Sequence, residues 1–466
     1  MSTVAYLEKE RLDSRYEQIQ EVYRSDNRPW VIGYSGGKDS TTALQLIWYA
    51  LAKLPREELT KPIYVISSDT LVETPKIVDY INTSLGKMDN AAQQQGLPFT
   101  AHKVRPTVND TFWVNLIGRG YPTPSKRFRW CTDRMKINPA NHFILEKVAE
   151  HGEVVVVLGV RRAESATRAQ VMSLHKIKGT LLSRHSSLAK AYVYTPIEDF
   201  SVDDVWTFLL QAPCPWGSNN RDLVTMYRNA QAGECPLVVD TTTPSCGNSR
   251  FGCWVCTVVT KDKSMEAMID NGEEWMEPML QYRDLLASTQ DPLVKAQVRE
   301  LKRRDGRVMH KSTGGIVYGP YKFGVLKDFL KRLLEVQKQV RVKGPNPQEQ
   351  LITFEELQEI RRLWRSERQD WEDSVPRIYR EVMGENLEWI VDEQPGFSGA
   401  ERKMLDAICE RHDLSSEMVA KLLEAEREHQ GMTRRAAIYQ RIAATLEEDW
   451  RTREQIMGQE PKNDSQ

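Results

Sequence analysis

The sequence predicts an α/β protein built on a doubly wound, mostly parallel sheet, followed by a cysteine-rich segment and a helical C-terminal region. Three observations carry this expectation. Apolar runs at residues 30–34, 63–68, 99–104 and 154–158 show no polar alternation, as suits strands buried on both faces. Helix-compatible segments at 41–54 and 76–92 follow the first two of them, as crossover connections do. The carboxyl ends of three runs carry Ser35-Gly36-Gly37, Asp69 and Gly159-Val160-Arg161, and ligands of such folds collect at carboxyl ends.

The stretch Ser35-Gly36-Gly37-Lys38-Asp39-Ser40 organises the rest. Two consecutive glycines let the backbone turn sharply and approach a ligand closely. The helix that follows offers unpaired N–H groups and the positive end of its dipole, a seat for phosphate. The Ser35 and Ser40 hydroxyls can donate to phosphate oxygens, Lys38 adds a charge, and Asp39 is expected to hold a bridging divalent cation such as Mg²⁺. The pattern G-x-x-x-x-G-K-[ST] is absent.

Asp69 is expected either to accept from a ribose hydroxyl or adenine amino group, or to serve a turn, since Thr70-x-x-Glu73 also reads as a capping box. Gly159 leaves room for a nucleotide in this reading. Arg161 and Arg168 neutralise charge on an α-phosphate, while Glu164 and Arg168 also fit an i,i+4 helix pair.

Composition narrows the classes. With 64 basic and 65 acidic residues among 466, overall charge selects no partner. Its distribution is uneven: residues 299–343 hold thirteen Lys/Arg against four Asp/Glu, and residues 126–136 five against one. Such patches suit a polyanion or a solvated helix face. The polar, charged start and the short apolar runs predict a cytoplasmic protein with no membrane partner.

Seven cysteines in so long a chain are not a secreted disulfide framework. Cys253-x-x-Cys256, with Cys246 seven residues upstream, brings three thiols within reach of one metal centre. A fourth ligand must come from Cys131, Cys235 or a histidine. Four thiolates suit a [4Fe–4S] cluster or zinc equally on spacing. Cys214 and Cys409 read as packing residues.

The glycine turn resembles the PP-loop of ATP pyrophosphatases, of adenine nucleotide α-hydrolase-like fold, which split ATP into AMP and pyrophosphate to adenylate a substrate. Several further stretches resemble the phosphoadenosine-phosphosulfate reductase superfamily: Asp69 to Thr74, Arg129 to Lys136 with Pro139, Gly159-x-Arg161-x-x-Glu164-Ser165-x-x-Arg168, and Pro196 to Phe200 leading to Asp204-Val205-Trp206. Leu71 stands where that family has glycine, Phe200 where a tryptophan is common, and the reductases' Glu-Cys-Gly-x-His tail is missing. With Cys246-Gly247-x-x-Arg250-Phe251-Gly252-Cys253-Trp254-Val255-Cys256-Thr257, residues 30–340 are similar to the DndC-type sulfurtransferases of bacterial DNA phosphorothioate modification, to which the SspD proteins are related.

That resemblance implies several things. ATP is cleaved to adenylate a DNA backbone phosphate, a non-bridging oxygen is replaced by sulfur, and a cysteine desulfurase supplies the sulfur. Cys131, Cys246, Cys253 and Cys256 ligate a [4Fe–4S] cluster, Lys38, Asp39, Arg161 and Arg168 act in catalysis, and DNA and other phosphorothioation subunits are partners. ATP-dependent tRNA thiolation and a nucleotide-binding scaffold are the rival functions. The expected divisions are an N-terminal helix (1–29), a PP-loop domain (30–212), a cluster-bearing and basic segment (213–343) and a helical region (344–466). In the last, Thr353-x-x-Glu356 and Ser398-x-x-Glu401 open helices, and Leu357, Ile360 and Trp364 form one apolar stripe. Helices are also expected over 266–286 and 295–304, and an aromatic loop or hairpin around Tyr318 and Tyr321.

Overall fold

The computed structural model describes residues 9–164, 170, 174–229, 252–312, 315–389, 397–429 and 436–458. The chain divides into two compact units, one drawn from Met1–Thr111 and Pro124–Leu280, the other from Phe112–Thr123 and Gln281–Gln466.

The first unit runs α1 (Lys9–Arg24), β1 (Trp30–Gly33), α2 (Lys38–Ala52), β2 (Ile63–Ser68), α3 (Pro75–Gln95), β3 (Phe99–Val104), α4 (Asn138–His151), β4 (Val154–Val157), β5 (Leu182–Arg184), β6 (Ala191–Tyr194), α5 (Val202–Gln211), α6 (Asn220–Asn229) and α7 (Lys263–Asp270). Its six strands lie in the order β3-β2-β1-β4-β6-β5, parallel except for β5 against β6. The chain order reverses between β1 and β4, where Trp30 is in register with both Ile63 and Val155. In an open α/β sheet this switch point opens a crevice at the carboxyl ends.

Both faces of the sheet are covered. On one, α2 is buried along nearly its whole length, and Trp48 stacks on Phe99 with centroids 4.4 Å apart. On the other, Ile144 of α4 packs with Val31, Val154 and Val156. Each such aliphatic side chain removed from water contributes roughly 1.5–3 kcal/mol. The chemistry of β5 and β6 explains why their strands escape pattern reading: three and four residues, flanked by charged and polar positions.

The Pro196–Trp206 stretch serves the scaffold. Ser201 caps α5 in a reciprocal box with Asp204, Asp199 and Asp204 bind Arg15 and Arg11 of α1, and Glu198 pairs with Arg162. The helix expected over 266–286 is broken into α7 and α8 (Glu277–Ser288), with Gly272 at φ +102° between them.

The second unit is helical. After α9 (Pro292–Val298), capped by Asp291, the helix expected to reach residue 304 gives way to a hairpin. Arg303 N donates to Arg307 O at 2.8 Å and Gly306 turns at φ +77°, so Asp305-Gly306 is a turn signal that overrides the helical pattern. Then come α10 (Phe323–Lys343), α11 (Phe354–Arg368), α12 (Ser374–Met383), α13 (Gly399–Arg411), α14 (Ser416–His429), α15 (Ala436–Leu446) and α16 (Arg453–Met457).

Both capping boxes form, at Thr353 and at Ser398. Leu357, Ile360 and Trp364 are core, the Trp364 Nε1 donating to Ile117 O at 2.9 Å. Tyr321 is buried, its hydroxyl bonded to Thr289, and Lys311 N donates to Gly315 O at 2.9 Å. Among the described residues no helix is long and apolar enough to cross a membrane.

Candidate functional site

The turn after β1 adopts the conformation its glycines permit. Gly36 lies at φ +72°, a region costly for other residues. Gly37 is the N-cap of α2 and supplies no side-chain cap. The N–H groups at this end find hydroxyls instead: Ser35 N donates to Ser40 Oγ at 3.2 Å, and Lys38 N to the Tyr227 hydroxyl of α6 at 3.2 Å. The Ser35 and Ser40 hydroxyls are 3.1 Å apart. A helix N-terminus met only by neutral hydroxyls keeps its affinity for an anion.

Beneath the turn lies a buried charge cluster. Asp39 Oδ2 accepts from Lys38 Nζ at 3.0 Å and Asp39 Oδ1 from Arg161 Nε at 2.6 Å. Asp39 and Lys38 are almost wholly buried and Arg161 is 0% exposed. The glycine at 159 has a structural reason. A Cβ there would sit 2.6 Å from Asp39 O and 2.8 Å from Ser40 Cα, so its absence lets the end of β4 close on the start of α2. Arg161 is thereby delivered to Asp39 across the switch point.

Asp69, at the end of β2, is 9% exposed and already engaged. Its Oδ2 accepts from Lys103 Nζ at 3.3 Å and Arg105 Nε at 3.0 Å, and its Oδ1 from Leu71 N at 3.1 Å. The capping box expected at Thr70 forms only in half. Glu73 accepts from Thr70 N at 2.9 Å, but α3 starts at Pro75 with Thr74 as N-cap. The physical reason is Leu71, whose left-handed φ of +63° turns the chain out of helical register.

The thiols gather at this same strand end. Glu73 and Cys253 form an antiparallel bridge, Trp254 N donates to Val72 O at 2.9 Å, and the Thr70 hydroxyl lies 3.4 Å from Cys253 Sγ. Cys131 lies in the helical turn Trp130–Thr132, just ahead of the π-turn Asp133–Ile137 that leads into α4. Burial pushes the Cys131 thiol up to about 11, with Cys256 nearby adding to the shift. Burial raises Cys253 further, and Glu73 adds to it. Burial also raises Glu73 itself, while Lys136 opposes the shift at Glu73, Cys131 and Cys253 alike.

Lys136 also lines a small cavity over the carboxyl ends of β1, β2 and β4, with Gly33, Ser68, Leu158 and His185. His185 is kept neutral: burial lowers its pKa, and its Nδ1 accepts from Ser187 N and Leu188 N at 3.3 and 3.2 Å.

The structure thus brings Ser35, Gly36, Gly37, Lys38, Asp39, Ser40, Gly159 and Arg161 together at the switch point, with Asp69 at the neighbouring strand end. Cys131, Cys253 and Cys256 lie within electrostatic reach of one another or of Lys136. Cys246, Cys235 and Arg168 lie outside the described residues, as does the side chain of Glu164. Among the described residues no group of three or more His, Cys, Asp or Glu is arranged to hold a metal ion. Sequence reading passed over Lys103 and Arg105, two cations ending β3, and Tyr227. Lys136 belongs to the basic stretch 126–136, whose net charge is a local signal that does not distinguish one member from another.

Fold and site together define a doubly wound, mostly parallel α/β unit with a glycine turn and a buried charge cluster at its switch point, and a helical C-terminal region. Residues 29–259, just under half of the chain, match the family model described as phosphoadenosine phosphosulfate reductase domain. Residues 400–447 match that of a small protein found in certain Dnd DNA modification systems. An uncharacterized protein of Methanocaldococcus jannaschii is 26% identical over 198 residues, 42% of this chain and 35% of that protein. The chain therefore spans about a third of the length of this curated relative.

Two solved structures are more distant. The Candida glabrata FMN adenylyltransferase, in complex with FAD and inorganic pyrophosphate, is 13% identical over 45% of this chain and 61% of its own, at a TM-score of 0.27. A U34-tRNA thiolase of Methanococcus maripaludis, solved with its [4Fe–4S] cluster, is 12% identical over 62% and 81%, at 0.29. Both likenesses are too remote to carry an argument.

Proposed function

We propose that this chain is an ATP pyrophosphatase and sulfurtransferase of Dnd-type DNA phosphorothioate modification. It would adenylate a backbone phosphate so that sulfur displaces a non-bridging oxygen. One observation carries the proposal: the end of β2, beside the strand that leads into the glycine turn, holds Asp69 and also the thiols, with Cys253 bridged to Glu73 and 3.4 Å from the Thr70 hydroxyl. Activation and sulfur delivery need such a shared edge. The family match over residues 29–259 and the Dnd-associated match over residues 400–447 support the reaction class and its setting.

In this reading the Ser35–Ser40 turn receives the polyphosphate, and Arg161 and Arg168 meet charge at the α-phosphate. Both oxygens of Asp39 are held by Lys38 and Arg161. An incoming Mg²⁺–polyphosphate would compete for those cations and turn the carboxylate toward the metal. Residues 30–212 would activate ATP, 213–343 contribute thiols and basic groups, and 344–466 serve partners from the cytoplasm, a cysteine desulfurase among the donors. Cys131, Cys253 and Cys256, with Cys246, would hold a [4Fe–4S] cluster, which supplies a site for sulfur or electrons when bound.

The test is direct. The chain, supplied with ATP and Mg²⁺, should release AMP and pyrophosphate, and DNA from cells carrying its gene should yield sulfur-linked dinucleotides on digestion. Sulfur found in tRNA instead of DNA would replace the substrate, and nucleotide binding without AMP would leave a scaffold.

A further inference from the structure

The helical unit contains a cavity of about 570 Å³ between the 299–307 hairpin, the end of α11 and the helices α13–α15. That volume suits a nucleotide-sized ligand. Neither PP-loop chemistry nor the thiols use it. It does use the basic run that the sequence placed at residues 299–343.

Its cations fall into two groups. Lys302 and Lys421 are committed to the wall: Lys421 binds Glu448 at 2.8 Å and Glu417 at 3.2 Å, and Lys302 lies 3.8 Å from each of the same two carboxylates. Arg402 pairs with Asp406 at 3.0 Å and Arg441 also lines the cavity; three further arginines are different. Among the described residues Arg303 and Arg368 have no carboxylate within ion-pair distance, and Arg368 makes only a long bond of 3.5 Å to Arg119 O. Arg304 reaches Glu367 at 3.3 Å on the rim. Burial depresses the Arg368 guanidinium, Glu300, Glu367 and Glu417 oppose that shift from beyond ion-pair distance, and Arg304 adds to it. Of the two other acids on the wall, Glu424 accepts from Trp371 Nε1 at 2.9 Å and pairs with Arg427, and Glu300 is raised by burial and by Glu417, against the opposing charges of Arg368, Lys322 and Lys302.

The support beneath these arginines is rigid. Lys302 Nζ sits 3.8 Å above the Trp450 ring, and Asp449 N donates to Gly306 O at 2.9 Å. A Cβ on Gly306 would meet the Glu448 side chain, and the glycine's φ of +77° is costly for other residues. The turn thereby brings Arg303 and Arg304 to the cavity that Arg368 also lines. Guanidinium forks held in this way match phosphate oxygens better than ammonium groups do.

We propose that this cavity is a phosphate clamp, in which Arg303, Arg304 and Arg368 grip a phosphate of a nucleic-acid strand or a free nucleotide. It deepens the reading above by locating a backbone grip in the helical unit, and rests on it only for the strand as the source of phosphate.

The experiment measures binding by the full chain without ATP, so that a failure of pyrophosphatase activity leaves it untouched. With a labelled short DNA duplex, the R303Q/R368Q variant should bind roughly tenfold more weakly, and its log K against log salt slope should be shallower by about two. Inorganic pyrophosphate is titrated in a K38A background, which removes the PP-loop lysine. Loss of pyrophosphate binding in R303Q/R368Q with DNA affinity unchanged would assign the clamp to a free nucleotide. Unchanged affinity for both, or a parent protein that binds neither, overturns the proposal. If the double variant fails to fold, R303Q alone, at an exposed position, carries the same test with about half the slope change.

Discussion

The Arg161 guanidinium donates through Nε to Asp39 Oδ1 at 2.6 Å, with the arginine at 0% exposure and the carboxylate almost as deeply buried. This bond ties the end of β4 to the first turn of α2 across the switch point of the sheet. Lys38 completes the cluster from the other carboxylate oxygen. Two cations sharing one buried carboxylate are stable only while that carboxylate is present.

Asp39→Asn keeps the shape and removes the charge, leaving Lys38 and Arg161 facing one another. Breaking a buried pair in this way costs about 3–5 kcal/mol. Asp39 variants will therefore lose stability along with activity, and activity loss alone does not define the residue's role. Urea unfolding of D39N should show the loss, and the triple variant K38M/D39L/R161M, which removes all three charges, should recover most of it. A D39N cost under about 1 kcal/mol would mean the cluster is solvated.

Gly159→Ala places its methyl against backbone, at 2.6 Å from Asp39 O and 2.8 Å from Ser40 Cα. Backbone cannot swing aside as a side chain does, so β4 and α2 must separate. The expected cost is about 1–3 kcal/mol, read as a lower urea midpoint. Pyrophosphate release should fall as well, because Arg161 moves with the strand. Wild-type stability in G159A would show that this approach is not tight.

Leu71 shows where a departure from a family pattern has a backbone meaning. At φ +63° it occupies a region that costs a branched-chain residue about 1–2 kcal/mol, and glycine nothing. Leu71→Gly should thus be neutral or stabilising by up to about 1 kcal/mol, since glycine loses more entropy on folding. Leu71→Val should destabilise. Thermal midpoints of the two variants decide it, and a destabilised L71G would assign the leucine a packing role.

The same position marks the limit of what was legible in the chain. The apolar runs of β1, β2 and β4 are legible because burial on both faces leaves a largely apolar signature, whereas β3, an edge strand, is buried only at Phe99 and Val104. The glycine turn was legible because positive φ and close approach demand specific residues. Asp69 was legible as a strand-end carboxylate, but its partners Lys103 and Arg105 were not, since a parallel register places β3 beside β2 only in three dimensions. Tyr227, nearly 190 residues from Lys38, carried no local signal at all. At 295–304 the helical pattern hid the Asp305-Gly306 turn, which the α14–α16 side of the unit, through Glu448 and Asp449, holds in place.

His185 makes stability depend on pH. Burial, with His175 adding to it, lowers its imidazole below the usual 6.5. The unfolded chain therefore binds a proton that the folded chain refuses in the window just below 6.5. Stability from the neutral ring is fully present above that value and declines as pH falls through the folded pKa. Unfolding midpoints should drop more between pH 7 and pH 5.5 for the wild type than for His185→Gln, with pH values chosen to bracket an ordinary imidazole. Equal drops would place the titration elsewhere.

Lys136 offers a test of the shared wall between cavity and thiols. Without metal, Cys131 titrates at about 11 because it is buried, and the Lys136 charge already holds it below where burial alone would put it. The thiolate is the form that reacts with iodoacetamide. Its alkylation should quicken as pH rises toward 11. Lys136→Met removes the favourable charge, so the midpoint rises and alkylation at a given pH slows. Cys253, which feels the same ammonium, should slow in parallel, whereas Cys214, whose environment includes Lys87 rather than Lys136, should not. Peptide mapping of the alkylated cysteines separates the three rates. Slowing at all three would point to a general loosening of the fold, and slowing at none would remove Lys136 from the thiols' surroundings.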